Sequence, residues 1–382
     1  MTLLFDNVFN PHNWALVPFS FWAAVFFSLG CIVGSFLNVC IYRMPLDLSV
    51  VSPPSHCPHC KYSIPFYLNV PLLTWLMLRG RCKNCGAPIS PRYFIVELFT
   101  GLMFLACWVA FGHDSAVLAL IYSVFLSGLI VATFIDFEHF IIPDEITLGG
   151  AAAGFVFSFL VPALHHTSSN GVAIMRSGVG IVVGAGIVYG VLRGGKLLFG
   201  RQKIKLPLGG MIVFSDTALC LPDKEIPYED IFYRKSDTIV FQARTLELVD
   251  RGYANVTVRL SPSLLRIGDE ELNPEEVPHL EAVCSEIVLP REAMGLGDVK
   301  FMAAIGAFLG WEAVIFTLVI SSLIGAIYGG VMVALRKHNW SGRLYFGPFL
   351  ALAATIWIFW GPALVAGYIR ISDQLLTRLV GH

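Results

Sequence analysis

The chain has 382 residues, of which 56% are hydrophobic and 14% charged, with a formal net charge of −1. A mean hydropathy of +0.70 and so few charges, against roughly 25% in soluble domains, exclude an ordinary soluble globular protein. The near-neutral balance gives no sign of a nucleic-acid surface.

A bilayer-crossing helix needs roughly 20 apolar residues. Segments of this kind fall at about 16–42, 93–111, 116–136, 145–163, 177–199, 298–311, 313–335 and 347–369. They predict an all-α polytopic membrane protein of about eight transmembrane helices. Residues 1–20 hold no Lys or Arg, so the basic head of a cleavable signal is missing and the first span is expected to stay in the membrane. The boundaries read as 1–43 for the first helix, 44–92 for a cysteine loop and 93–199 for helices two to five. A soluble insert follows at 200–293, then the last three helices at 294–382. The many glycines in the spans (Gly149, Gly150, Gly154, Gly178, Gly180, Gly184, Gly186) read as sites of close helix packing.

The loop after the first span carries Cys57-Pro-His-Cys60 and Cys82-Lys-Asn-Cys85. Two C-x2-C knuckles complete a tetrahedral site of four thiolates, which predicts structural Zn2+ with no open position for chemistry. Two disulfides would not persist in a reducing cytosol. His56 and His59 read as solvated neighbours. Cys31, Cys40 and Cys107 lie in apolar spans and read as small buried hydrophobes. The tether to helices on both sides favours docking over DNA or RNA binding.

Two acids stand at ends of apolar runs. Asp136 continues Leu129 to Ile135, and Asp298 lies in Gly295-Leu296-Gly297-Asp298-Val299-Lys300, at the mouth of Phe301 to Gly310. Carboxylates at membrane depth are costly and read as functional by default. Two that meet can share a proton and activate a water. Asp136 reads equally as an acid wetted at a helix end. Gly295 and Gly297 are expected to permit unusual backbone geometry and the approach of a peptide strand. Asp144, after Pro143, is a natural helix N-cap or first-turn residue that can still touch the site. Glu138 and Glu145 read as loop acids.

Residues 200–292 break the membrane pattern with charge. Period-two alternation over Thr238–Leu248, Ala254–Leu260 and Leu264–Gly268 predicts strands, with a turn at Asp250-Arg-Gly-Tyr. A short helix is expected from Asn273 through Val283. The insert therefore reads as a small, mostly β domain without a recognisable catalytic signature.

Loop charge sets orientation. Arg43, Lys61, Arg79, Arg81, Lys83 and Arg92 fill the first loop. Arg193, Lys196, Arg201, Lys203 and Lys205 follow the fifth span, and Arg336, Lys337 and Arg343 the seventh. The alternate loops hold only Arg176, while Arg370 and Arg378 run against the rule. The zinc loop and insert are thus expected in the cytoplasm and both termini opposite. Asp136 and Asp298 then share the cytoplasmic face.

The chain resembles the type IV prepilin peptidase family, bifunctional leader peptidases and N-methyltransferases of pili and type II secretion. The resemblance rests on Gly34-Ser-Phe-Leu-Asn-Val-Cys-Ile-Tyr-Arg-Met-Pro45, the two cysteine knuckles, Pro91-Arg-Tyr-Phe-Ile-Val-Glu97 and Asp136 through Asp144. It continues in Met294 through Lys300, Gly306-Ala-Phe-Leu-Gly-Trp311 and Phe346-Gly-Pro348. The long insert is the main departure. The resemblance implies catalytic aspartates at Asp136 and Asp298, prepilin or pseudopilin substrates, and a bacterial inner-membrane location in contact with lipid. It also implies S-adenosylmethionine as methyl donor, for which Arg92 and Glu97 beside the zinc loop are candidate residues. They read equally as an orienting arginine and a helix-start acid. A proton-coupled transporter is an alternative, but it calls for charges at mid-span and inverted repeats. A non-catalytic pilus or secretion assembly scaffold is another.

Overall fold

The computed structural model describes residues 18–199, 201–207, 210–215, 217–228, 231–232, 237–248, 251–277, 279–290, 295–335 and 345–380. Arg336, Lys337, Arg343, Asp250, Met294 and the first two residues of the expected opening span lie outside them. The chain divides into a helical unit, up to Val188 and from Leu296 onward, and a second unit, Tyr189–Gly295.

The helices are α1 (Phe19–Arg43), α2 (Pro91–Phe111), α3 (Ala116–His139), α4 (Asp144–Leu160), α5 (Asn170–Phe199), α6 (Leu296–Ala334) and α7 (Gly347–Val380). Six of them, all but α4, are long and apolar enough to cross a membrane. The expected eight differ from these six for two local reasons. The α4 helix has only 17 residues. The α6 helix runs for 39 but is interrupted at Gly310, whose φ of 82° and ψ of 176° are not helical. That conformation is open to glycine at little cost. It separates the stretches expected as spans six and seven.

Lipid is as apolar as a leucine side chain, so helices in a bilayer associate through close packing rather than expulsion of water. The crossing of α5 and α6 shows this directly. A Cβ on Gly180 would sit 2.1 Å from the Gly306 carbonyl oxygen, and the reverse holds for Gly306. Nothing larger than hydrogen fits at either position. Other glycines expected to be packing sites do not share this role, since Gly149, Gly178 and Gly186 face open space within 4 Å. The α1, α2 and α3 helices bury Leu37, Ile41, Val96, Ile130, Val131 and Ile135 against one another. This core ends at the residue before Asp136.

The second unit holds nine strands, the short ones being β1 (Arg201–Lys205), β2 (Met211–Phe214), β3 (Ala218–Leu221), β4 (Lys224–Pro227), β7 (Leu264–Ile267) and β8 (Glu270–Leu272). The long strands are β5 (Ile239–Leu248), β6 (Gly252–Ser261) and β9 (Leu280–Pro290). Together they form one fully antiparallel sheet in the order β4-β3-β2-β9-β5-β6-β7-β8, with β1 also on β9. Along β9 the burial alternates nearly residue by residue, as the period of a half-buried strand requires. Its inward face joins Ile212, Phe241, Leu246, Val258 and Ile287 in one core. The helix expected over Asn273–Val283 is not formed. Only Pro274–Glu276 make a 3-10 turn, and β9 begins at Leu280. Alternating Val and Ile in the following residues belong to a strand that pairs with β2, β5 and β1, and tertiary pairing overrides the local helix signal. The strand β1 (Arg201–Lys205) pairs with β9 so that Arg201 lies opposite Pro290. The first and last strands of the insert are therefore neighbours.

Candidate functional site

Asp136 occupies the last turn of α3 and is 6% exposed. The helix ends four residues later at Phe140, held in the left-handed region at φ 55° with its N–H on the Asp136 carbonyl. Such a φ costs a bulky residue roughly 1–2 kcal/mol and is kept where the surroundings enforce it. Here the Phe140 ring stacks on Tyr345 at 4.2 Å. That contact delivers the start of α7 to the acid. The Gly347 N–H donates to Asp136 Oδ2 at 3.0 Å, and a Cβ at Gly347 would fall 2.7 Å from that same oxygen. Glycine is thus required for the donor to reach the carboxylate.

The second acid arrives from α6. Asp298 lies in the first turn of this helix and is partly buried. The adjacent Gly297 packs on Ile142, with its missing Cβ 3.5 Å from Ile142 Cβ. The same isoleucine reaches the Gly347 position, at 3.2 Å. Ile142 therefore stands between the segment that carries Asp298 and the glycine that holds Asp136. The two segments are also clamped electrostatically. Lys300 Nζ donates to both oxygens of Asp144, at 2.6 and 2.9 Å, and Asp144 is the first residue of α4. The cationic group that follows Asp298 by two residues, Lys300, is thus committed to Asp144.

The unusual backbone geometry expected at Gly297 is not formed. Gly297 is the second residue of a helix, with no left-handed φ and only ordinary contact distances around its Cβ position. Sequence reasoning also passed over Ile142 and Gly347 as site residues. For Gly347 a signal existed in the Phe346-Gly-Pro348 run, but no local rule links it to an acid 211 residues away.

The four cysteines converge as expected. Their sulfur atoms all lie within 4.8 Å of one another, with Cys57 to Cys85 at 3.8 Å and Cys60 to Cys82 at 4.0 Å. A tetrahedral tetrathiolate with metal–sulfur bonds of about 2.3 Å has sulfur–sulfur edges of about 3.8 Å, so the set fits a four-coordinate metal. Each knuckle is the same small hairpin. Cys57 and Cys82 donate to Tyr62 and Ala87 and accept from Lys61 and Gly86. Lys61 and Gly86 take the left-handed conformation at equivalent places, φ 57° and 71°. The Asn84 amide donates to Cys60 Sγ at 3.6 Å and, with the Tyr62 backbone, holds that thiol down to about 6. The backbone N–H groups of Cys85 and Asn84 lower Cys82 as well. Hydrogen bonds to a thiolate favour the form that binds metal.

Arg92 and Glu97 both lie on α2, but they have different surroundings. Arg92 forms an ion pair with Glu138, two residues beyond Asp136. Glu97 is not a helix-start acid. It stands in the second turn, 8% exposed, and its Oε2 accepts the Leu72 N–H at 2.8 Å. Arg43, expected to be a loop charge, is a buried end-of-helix residue. It donates to the Ser49 and Pro53 carbonyls at 2.9 and 2.7 Å and so ties the cysteine loop to α1.

Comparison with known proteins decides the family. Residues 28–111 match the bacterial peptidase A24 N-terminal domain, and 123–214 with 280–330 match the type IV leader peptidase family. Together the matches cover more than half of the chain. The chain belongs to the type IV leader peptidase family. Its A24 peptidase core includes both α3 with Asp136 and α6 with Asp298, while residues 215–279 of the insert fall outside the match. A prepilin leader peptidase/N-methyltransferase of Aeromonas hydrophila is 28% identical over 92% of this chain and 95% of its own length. One from Myxococcus xanthus is 48% identical over 36% of this chain and 40% of its own length. An Escherichia coli type 4 prepilin-like proteins leader peptide-processing enzyme is 40% identical over 33% of this chain and 53% of its own length. No solved structure matches the chain.

Proposed function

We propose that this protein is a membrane-embedded aspartic endopeptidase that removes the basic leader of type IV prepilins or pseudopilins and then N-methylates the new N-terminus. The observation that carries the peptidase reading is the meeting of the Asp136 and Asp298 segments across Ile142 and Gly347. On this reading one carboxylate takes a proton from water as its oxygen attacks the scissile carbonyl. The other, protonated, donates to the carbonyl oxygen. When the tetrahedral intermediate collapses, a proton passes to the leaving amine. The pair shares its protons and titrates as a unit. The Gly347 N–H fixes the Asp136 rotamer, and the Lys300–Asp144 clamp sets the position of Asp298.

Charge in the loops supports an orientation with the acids, the zinc loop and the insert on the cytoplasmic side of the bacterial inner membrane. Counting α4 and both halves of α6 gives eight spans. A prepilin with its apolar helix in lipid and its basic leader in the cytoplasm presents its cleavage point at that face. The metal suited to Cys57, Cys60, Cys82 and Cys85 is Zn2+ in a structural role, with every position filled by protein. S-adenosylmethionine, when bound, supplies an electrophilic methyl group to the freed amine. Arg92 and Glu97 are the residues assigned to it.

Asp136→Asn and Asp298→Asn keep size and remove ionisation. Each should lower prepilin cleavage by about 10²–10⁴-fold in membranes with unchanged protein level and zinc content. Normal leader removal by either variant would discard the assignment.

A further inference from the structure

The cysteine loop presents an apolar face that the four thiols do not use. Its short helix, Leu73–Met77, sets Leu73, Leu76 and Met77 at the i, i+3 and i+4 spacing of a single helix face. They are 60%, 55% and 82% exposed, and Val70 just before them is exposed as well. Thr74, Trp75 and Leu78, on the other side, are half-buried. Contiguous exposed apolar residues mark a surface that meets a partner or a membrane.

Two contacts fix where this face lies. The Trp75 ring packs on Phe94 at 5.2 Å, and the Leu72 N–H donates to Glu97 Oε2 at 2.8 Å. The short helix therefore lies beside the first two turns of α2. The α2 helix has 21 residues, a length of about 31 Å, which a hydrocarbon core of about 30 Å takes up entirely. Phe94 and Glu97 come three and six residues after its first residue, Pro91, or about 4.5 and 9 Å along its axis. With α2 across the bilayer, the short helix stands at the depth where interfacial helices bury their apolar faces, about 5–10 Å into the boundary of headgroups and acyl chains.

The backbone of this stretch suits a place where water is scarce. Pro71 has no N–H to satisfy, and the Leu72 N–H is taken by Glu97. The Leu76 and Leu78 N–H groups donate one turn back, to the Leu72 and Thr74 carbonyls, and the Gly80 N–H closes on Trp75 O at 2.9 Å.

Charge selects the occupant. From Met44 to Ser90, Asp47 is the only acid, against Lys61, Arg79, Arg81 and Lys83. Arg79, Arg81 and Lys83 directly follow the apolar face and are exposed. Apolar side chains at the acyl boundary with cations at the level of the phosphates are the pattern of a segment lying in an anionic membrane surface. A basic leader peptide would meet like charge here, and a second copy of the chain would bring the same basic rim.

We propose that residues 70–83 of the cysteine loop form a membrane-interface anchor. Leu73, Leu76 and Met77 enter the acyl boundary of the adjoining leaflet, and Arg79, Arg81 and Lys83 engage the phosphates of anionic phospholipids. The proposal requires α2 to span the bilayer and draws on no step of the peptide or methyl chemistry.

The test uses the full-length protein in vesicles of phosphatidylcholine and phosphatidylglycerol in equal parts. The photocrosslinker p-benzoylphenylalanine replaces Met77, and in a control it replaces Leu102, which is exposed on α2. Irradiation should give phospholipid adducts at both positions by mass spectrometry. Phosphatidylglycerol should exceed its half share among the Met77 adducts, and Arg79→Gln with Arg81→Gln should cut that excess about fivefold or more. Zinc content checks that the loop keeps its fold, and the crosslinker in place of Leu76 carries the test where the Met77 variant loses metal. Lipid adducts at Leu102 with none at Met77 or Leu76 overturn the proposal. So do adducts, in place of lipid, to a second copy of the chain or to a prepilin added to the vesicles. Equal shares of the two lipids overturn the anionic preference. An absence of lipid adducts at Leu102 as well overturns the spanning of α2, and the anchor with it.

Discussion

At the scale of single residues, the least replaceable position beside the acids is a glycine. A methyl at position 347 would be driven into Asp136 Oδ2, at 2.7 Å, so the carboxylate or the start of α7 must move. A shift of about 1 Å in a catalytic group can cost about 10²-fold. Gly347→Ala is therefore expected to lower the cleavage rate by about that factor with little change in zinc content, measured on a synthetic prepilin substrate. A rate equal to wild type would remove Gly347 from the site. The acids themselves were legible in the sequence, because ionisable groups closing apolar runs stand out. The glycine's purpose was not, since it depends on a contact across the whole chain. His165 offers a second prediction at this scale. It lies between α4 and α5, and its Nε2 meets Ser158 Oγ at 2.8 Å. Burial pushes it down to about 4, with the neighbouring Arg176 and His166 adding to the effect and the Ala307 backbone opposing it. Glu312 lies on the other side, near Gly310. The folded imidazole stays neutral where the unfolded one, near 6.5, takes a proton. Its stabilising contribution is thus complete above pH 6.5 and declines as pH falls toward 4, by up to about 1.4 kcal/mol per pH unit. Thermal midpoints of the solubilised protein should fall across that window, and less steeply for His165→Gln. Identical slopes would show that His165 does not titrate on unfolding.

At the scale of elements, the cysteine loop illustrates what spacing alone can convey. Two C-x2-C pairs imply two equivalent knuckles, and the left-handed Lys61 and Gly86 occupy the same place in each. The loop has little core of its own, with Leu73, Leu76 and Met77 all exposed, so a metal bound by the four thiolates would supply most of its order. Metal binding to such a site can contribute on the order of 10 kcal/mol. Cys57→Ser combined with Cys82→Ser should remove stoichiometric zinc by elemental analysis and expose the loop to limited proteolysis. Unchanged metal content would refute the four-thiolate site. Helix boundaries were legible where apolar runs end at charges or proline. At Gly310 hydropathy marks only a junction between two apolar stretches. It carries no signal that the helix resumes directly beyond a single non-helical residue, because both flanks are equally apolar. The 273–283 segment shows the opposite failure. Asn-Pro-Glu-Glu is a sound helix opening, but the Val and Ile residues after it complete a strand whose partners are distant.

At the scale of the whole molecule, membrane helices and a nine-stranded sheet unit share one chain, and the family match passes over residues 215–279. The proposed chemistry draws only on the helical unit. Removing the insert should therefore leave leader cleavage intact. The cut must take β1 together with β9, because the two strands pair and a deletion starting at 206 would strand five residues with an unsatisfied edge. Replacing 201–290 with a short flexible linker is expected to preserve cleavage in membranes, and complete loss in a stably folded deletion would make the insert part of the enzyme. The pairing of Arg201 with Pro290 has one more implication. The chain leaves the sheet unit about one strand spacing, roughly 5 Å, from where it entered. A gene could gain or shed such a cassette at a single loop without altering the length or phase of the helices on either side.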